Sequence, residues 1–404
     1  MSIANDLPVK EPSSSFMSDL TRVLRENIRD YGMFIALFII WGVFNSLTDG
    51  LFLSSRNLSN LLNQFGYIAV LGIGMTLVIV IRHIDLSVGF LAGFLGAVTA
   101  IAMTFWGLPV WVVVPSVLIL GALLGLLPGF MVAQLGIPAF VATLAGFLIY
   151  RGAILVVTEG SGTIIISNDA FNALGNGFIP NIFGDLWPGK HLLTLLVGAI
   201  AIVWFIYNEL KGRRNKLAYG FEVLPRNIFI LKLVFATLLV GALTWVLASY
   251  NGLSWTVVIV LIVLAIYQFI TTQTVLGRHI YAVGGNPEAA ELSGVNVKRI
   301  TYLVFSQMGA LAALSGMLFA SRLQSATTTA GTLFELDAIA ASYVGGVSAA
   351  GGVGRVTGAV IGALVMASLT SGMNLMGLGI SYQYIIRGIV LALAVIFDVS
   401  TRNR

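Results

Sequence analysis

Apolar runs close to twenty residues long recur from one end of this chain to the other. A helix rises about 1.5 Å per residue, so about 20 residues cross the roughly 30 Å hydrocarbon layer of a membrane. Such runs cover 32–48, 60–82, 85–106, 109–135, 138–158, 191–207, 228–249, 254–273, 299–320, 337–352, 356–375 and 380–398. The piece at 337–352 is short and Gly-rich, as a broken or re-entrant segment would be. The expected fold is an all-α polytopic membrane protein with about 10–12 transmembrane helices, broken pieces included. Composition agrees: 58% of the 404 residues are hydrophobic and 10% are charged. A soluble domain carries about 25% charged residues. So little charge cannot cover a soluble surface of this size.

The polar stretches divide the chain. Residues 1–30 form an N-terminal tail, ending in an amphipathic helix at 17–30. The tail lacks the basic, apolar and cleavage regions of a signal peptide. A membrane domain follows over 31–398, and a short tail over 399–404. Loop 208–227 holds Lys211, Arg213, Arg214, Lys216 and Arg226, whereas loop 159–190 has Lys190 as its basic residue. The positive-inside rule then puts 208–227, 274–298 and both termini in the cytosol, and 159–190 outside. The net charge of +5 reads as orientation signal, with no call for nucleic acid. The chain has no cysteine, which excludes disulfides and thiol chemistry. His83, His191 and His279 lack metal-ligand spacing, so no metal site is expected.

The longest polar passage of the second half is GRHIYAVGGNPEAAELSGVNVKR, residues 277–299. Its middle reads as one short helix over 287–293. Asn286 suits the N-cap and Pro287 the first helical position. Glu288 and Glu291 favour the positive end of the helix dipole. Ala289, Ala290 and Leu292 favour helix, and Gly294 suits the left-handed stop. Such a helix is about 10 Å long and cannot cross a bilayer. It fits a membrane face, where it presents a small alanine surface to a partner.

At GGNPEAAELSGVNV the chain resembles the coupling segment of ABC-class sugar-import permeases, the ribose-permease-like family with its xylose, galactose and multiple-monosaccharide members. IDLSVG at 84–89, PAFVATLAGFLIYRG at 138–152, FELDAIAASYVGG at 334–346 and SAAGGVGRVTGA at 348–359 carry the resemblance over roughly residues 50–400. The resemblance implies that Gly285, Asn286, Pro287, Glu288, Ala289, Ala290, Glu291, Leu292, Ser293 and Gly294 dock on a cytosolic ABC ATPase. It further implies a second copy of the permease, a periplasmic sugar-binding protein and a bacterial inner membrane. By the same resemblance ATP and magnesium would belong to the ATPase chain, and this chain would be a transport subunit without a cofactor, and not an enzyme. The cargo would be a monosaccharide, xylose or several related sugars. Against shorter members, spans 228–249 and 254–273 look like an added hairpin.

Several polar residues fall inside the membrane domain. Asp85 or Ser87 would cap a helix beginning there; beside Arg82 and His83, a cap at the cytosolic interface fits better than a sugar gate. Glu335 and Asp337 precede an apolar helix near the outer side, as caps or as contacts to sugar or binding protein. Arg355 stands beside a glycine-permitted break between half-helices, either lining the path or anchoring the inner face. Arg151 would snorkel to the outer interface. The middles of the spans are otherwise nearly bare of ionisable groups. That counts against the alternative, an ion-gradient-coupled secondary sugar transporter. GDLWPGKH at 184–191 imitates a phosphate loop, but His191 stands where Ser or Thr would bind magnesium. No HExxH or GxSxG motif occurs.

Glycines at small-residue spacing, such as Gly89, Gly93 and Gly96 or Gly354, Gly358 and Gly362, read as helix-packing positions. The runs IDLSVGFLAGFLGAV and GGVGRVTGAVIGALV are loosely alike and suggest internally repeated halves.

Overall fold

In lipid a backbone must bond to itself, so apolar runs become helices. A computed structural model describes residues 28–184 and 186–402. The expected tail and amphipathic helix lie outside the described residues up to position 27. Among the described residues, nine helices are long and apolar enough to span a membrane, and two more apolar helices are shorter.

The helices are α1 Ile28–Leu47, α2 Ser55–Val80, α3 Val88–Thr104, α4 Val110–Ala133, α5 Ala139–Val157 and α6 Asp169–Asn176. Then come α7 Leu192–Ala218, α8 Arg226–Ala248, α9 Trp255–Gln273, α10 Val275–Gly285 and α11 Pro287–Leu292. The set ends with α12 Val297–Leu323, α13 Phe334–Val344, α14 Val356–Leu375 and α15 Ile380–Arg402. Because α15 runs through Arg402, the tail expected from residue 399 is helical over its first part. Two short strands, β1 Ile164–Ile165 and β2 Ser325–Ala326, pair antiparallel at the end of the bundle opposite α11.

Two four-helix units, α2–α5 and α12–α15, form the core with matching contacts. Helix α12 packs on α4 as α2 packs on α14. Helix α3 lies on α12 and α5, as α13 lies on α2 and α15. Repeated halves are therefore present, but the counterpart of the IDLSVG helix is α13, not the glycine run that begins α14. Close approach at glycine makes this packing. A Cβ on Gly309 would stand 2.1 Å from the Gly121 carbonyl, and one on Gly362 would stand 1.9 Å from the Ala341 carbonyl. Without a hydrophobic drive between helices in lipid, such backbone proximity supplies the attraction.

The outlying hairpin differs from the expected one. Helix α7 packs chiefly on α8, and α8 meets the edge of α2 and, through Phe235 against Phe38 at 5.5 Å, α1. Helix α9 belongs to the bundle, against α2, α6 and α14. Thr256, in the first turn of α9, fills the space that Gly66 leaves open on α2.

Helix α13 is too short to span, and α3, at 17 residues, is at the lower limit of a spanning helix. Helix α13 has 11 residues, about 16 Å of rise. Each is fed by non-helical chain, 81–87 from the α11 end and 327–333 from the β1–β2 end. The irregular segment is thus confirmed near 334–344, and α3 is its partner in the other half.

Candidate functional site

Helix α11 forms as its sequence dictates. Ala289 N–H donates to the Asn286 side-chain oxygen at 3.1 Å, Pro287 opens the helix, and Gly294 takes a left-handed φ of +84°. The helix is six residues long, one fewer than expected. Its outward face differs from the expected alanine surface. Ala290 is packed inward at 5% exposure, while Glu288, Ala289, Glu291 and Ser293 are exposed. Leu292 stands out at 91% exposure. A leucine held open by a capped helix is an unmatched apolar knob.

The chain just before α11 is locked to both halves of the bundle. Arg82 adopts φ 67° and donates from Nε to the Gly284 carbonyl at 2.7 Å, with a second bond from Nη2 to the Gly285 carbonyl. The Gly352 N–H donates to the Val80 carbonyl at 2.8 Å. The Tyr281 hydroxyl donates to the Gly354 carbonyl at 2.6 Å. Thus the end of α10 grips the segment leading to α3 and the loop leading to α14. Two clefts flank this clasp. One of about 500 Å³ is lined by Arg82, His83, Ile137 and Phe140; the other, about 320 Å³, by Tyr281, Gly352, Gly354 and Arg355.

The residues singled out within the membrane domain separate into groups. Arg82 and His83 stay at the α11 end, but Asp85 is carried inward and is 2% exposed. Its Oδ1 accepts from Ser87 N–H at 2.9 Å and from the Ser87 hydroxyl at 2.6 Å. Ser87 itself makes no side-chain cap bond. Ser87 lies against Gly146, seven residues along α5 and so about 10 Å from that helix's start. Asp85 therefore closes a turn inside the domain, not at its interface.

Glu335 and Asp337 also lie inside, at 4% and 7% exposure, and away from the outer surface. The α13 N-cap is Leu333, at φ 64° and without a side-chain cap bond, and both acids stand in the first turn. Glu335 packs on Gly89 at the start of α3, where a Cβ would come 2.0 Å from Glu335 Oε2. That oxygen has no hydrogen-bond partner among the described residues. Asp337 pairs with Arg387 Nη1 at 3.4 Å, and Arg387 Nη2 donates to Thr370 Oγ1 at 2.7 Å. Arg355 is exposed at the α11 end, as the residue before α14.

Arg151 turns inward instead of snorkelling. Its Nη1 donates to the Thr328 carbonyl at 3.2 Å, and its guanidinium lies 4.9 Å from the centre of the Phe90 ring. Arg387 is a second deep cation that sequence reasoning missed; the signal was one arginine inside the apolar run 380–398. His191 caps α7: Thr194 N–H donates to its Nδ1 at 3.3 Å, and Nε2 meets the Ile179 carbonyl at 2.9 Å. That geometry leaves the phosphate-loop imitation a structural turn.

A polytopic bundle of two matched halves, with half-helices meeting at its centre and a short helix clasped outside it, has the architecture of a transport subunit. The chain belongs to the family of branched-chain amino acid transport system permease components, which matches residues 57–395. The Xylose transport system permease protein XylH of Escherichia coli (strain K12) is 38% identical over 406 residues, covering 100% of both chains. The protein of the same description from Haemophilus influenzae is 38% identical over 380 residues, 94% of this chain and 98% of its own. The Ribose import permease protein RbsC of Escherichia coli (strain K12) is 36% identical over 366 residues, 90% of this chain and 92% of its own. No solved structure gives a significant match.

Proposed function

We propose that this chain is the membrane permease subunit of an ATP-driven ABC importer. Its cargo is a monosaccharide, xylose or several related sugars, delivered by a periplasmic binding protein. Relatives described as xylose and ribose permeases support the sugar class. The observation that carries the mechanism is α11, a capped helix with Leu292 exposed and its base clasped to both halves of the bundle.

The proposed partners are a second copy of the chain, a cytosolic ABC ATPase that holds ATP and magnesium, and the binding protein. The membrane is the bacterial inner membrane. Lys211, Arg213, Arg214 and Lys216 lie on the same end of the bundle as α11, which supports a cytosolic coupling face and cytosolic termini.

On ATP binding the ATPase would close and draw α11 with it. Through Arg82 the movement reaches the segment before α3; through Gly352 and Gly354 it reaches the loop between α13 and α14. The half-helix starts, Asp85–Ser87 and Glu335–Asp337, would shift with them and open the path on alternate sides. Packed interfaces of this kind switch between discrete arrangements rather than deforming continuously.

The runner-up, an ion-gradient-coupled sugar carrier, gains something from Glu335, a deep acid with an unpartnered oxygen. Proteoliposomes decide between them. Uptake of D-xylose or D-ribose that requires ATP, ATPase and binding protein supports the importer. Uptake by the chain alone under a proton gradient overturns it.

A further inference from the structure

Between β2 and α13 the chain reads TTTAGT, residues 327–332. Its depth follows from two contacts. A Cβ on Gly93 would meet the Ala330 carbonyl oxygen at 2.2 Å, and one on Gly89 would meet the Gly331 oxygen at 2.6 Å. Gly93 is eleven residues from Thr104, whose hydroxyl donates to the Ile165 carbonyl in β1 at 3.2 Å. Eleven helical residues rise about 16 Å. Ala330 and Gly331 therefore lie alongside the first turns of α3, well inside the bundle from that helix's far end.

Open backbone and exposed hydroxyls at that depth have no partners in lipid; they persist only where they are buried in protein or face water. Ala330 and Gly331 are buried, but Thr329 and Thr332 beside them are exposed. The Thr332 hydroxyl donates to the Thr329 carbonyl at 2.7 Å, which leaves its own lone pairs able to accept. The backbone just before them is held by Arg151, bonded to the Thr328 carbonyl and stacked on Phe90. This is a held, hydroxyl-bearing strip in the middle of an apolar bundle.

We infer that residues 327–332 line the water-filled sugar path, and that the Thr329 and Thr332 hydroxyls exchange hydrogen bonds with the passing monosaccharide. The inference rests on the permease reading for its cargo, while its geometry stands apart from it. A hydroxyl both donates and accepts, so it matches a sugar hydroxyl in any rotation. Neutral hydroxyls also bind weakly enough to let cargo leave, where a charged group would hold it.

The absence of cysteine makes the path directly readable, since an introduced thiol is the only one on this chain and labelling is read on the permease itself. Thr329→Cys and Thr332→Cys are compared with Leu148→Cys, a residue 64% exposed on the apolar face of α5. All are full-length chains in proteoliposomes with ATPase and binding protein, treated with a charged methanethiosulfonate. Only a hydrated thiolate reacts. The expected result is reaction at positions 329 and 332 at least tenfold faster than at 148. Equal rates overturn the path assignment, whether or not the preparation transports sugar.

The hydroxyl role is tested by uptake. Thr329→Val with Thr332→Val should lower ATP-driven D-xylose uptake at least tenfold, because valine keeps the shape of threonine and removes its hydroxyl. Thr329→Ser with Thr332→Ser should stay within twofold of wild type. Wild-type uptake in the valine pair, or equal loss in both pairs, overturns the sugar contact. Failure of the wild-type chain to take up either D-xylose or D-ribose with ATP would strike the permease reading instead, leaving the labelling result to stand.

Discussion

Arg82 and Gly284, 202 residues apart in the chain, are joined by a 2.7 Å hydrogen bond from the guanidinium Nε to the backbone carbonyl. The bond ties the chain just after α2 to the last turn of α10. Gly352 closes the same knot by donating to the Val80 carbonyl. In the proposed coupling, a push on α11 would therefore reach the start of α3 and the start of α14 together, through contacts rather than through intermediate distance alone.

Arg82→Ala removes a charged donor from two carbonyls. A hydrogen bond of this kind contributes about 1.5–3 kcal/mol, roughly 10- to 100-fold in an equilibrium. ATP-driven D-xylose uptake should fall about tenfold or more, while capture of the ATPase in detergent stays within about twofold. Uptake and pull-down, measured side by side, check this; unchanged uptake would separate the clasp from coupling.

Two neighbouring glycines make a matched test of the knot. A Cβ on Gly284 would stand 1.9 Å from the Val80 carbonyl, whereas a Cβ on Gly285 meets nothing within 4 Å. Gly284→Ala should force the clasp apart and lower both thermal stability and uptake, by about 1–3 kcal/mol in stability as for other overpacked sites. Gly285→Ala should behave as wild type in the same unfolding and uptake measurements.

The caps of α11 and the whole set of apolar runs were legible because each depends on residues near one another in sequence. Asn286, Pro287 and Gly294 act on their own turn. Depth was not legible. Whether Asp85 sits at an interface or inside depends on Ser87 meeting Gly146, and whether Arg151 snorkels depends on Thr328 lying beside it. Nor could apolar periodicity assign the outlying hairpin, since lipid-facing and bundle-facing sides are both apolar. Arg387 escaped notice because its partner, Asp337, is 50 residues earlier on another helix.

The Asp337–Arg387 pair is largely buried. Removing one partner of a buried pair leaves an uncompensated charge, at a cost of about 3–5 kcal/mol. Arg387→Met should lower the unfolding temperature in detergent markedly. Arg387→Met with Asp337→Leu should recover part of that loss, since no lone charge remains. A double variant no more stable than Arg387→Met would refute the pairing.

The proposed ATPase dock is the outward face of α11. Ala290 is unsuited to testing it, because a charge at a 5% exposed position would disturb folding. Glu288 and Leu292 are exposed, so Glu288→Lys with Leu292→Asp changes the face and spares the fold. The decisive measurement is capture of the ATPase encoded with the permease by the full-length chain in detergent, wild type against this double variant, with thermal unfolding recorded for both. Wild type should capture the ATPase, the variant at least tenfold less, and both should unfold at equal temperatures. Equal capture by both chains would contradict the dock.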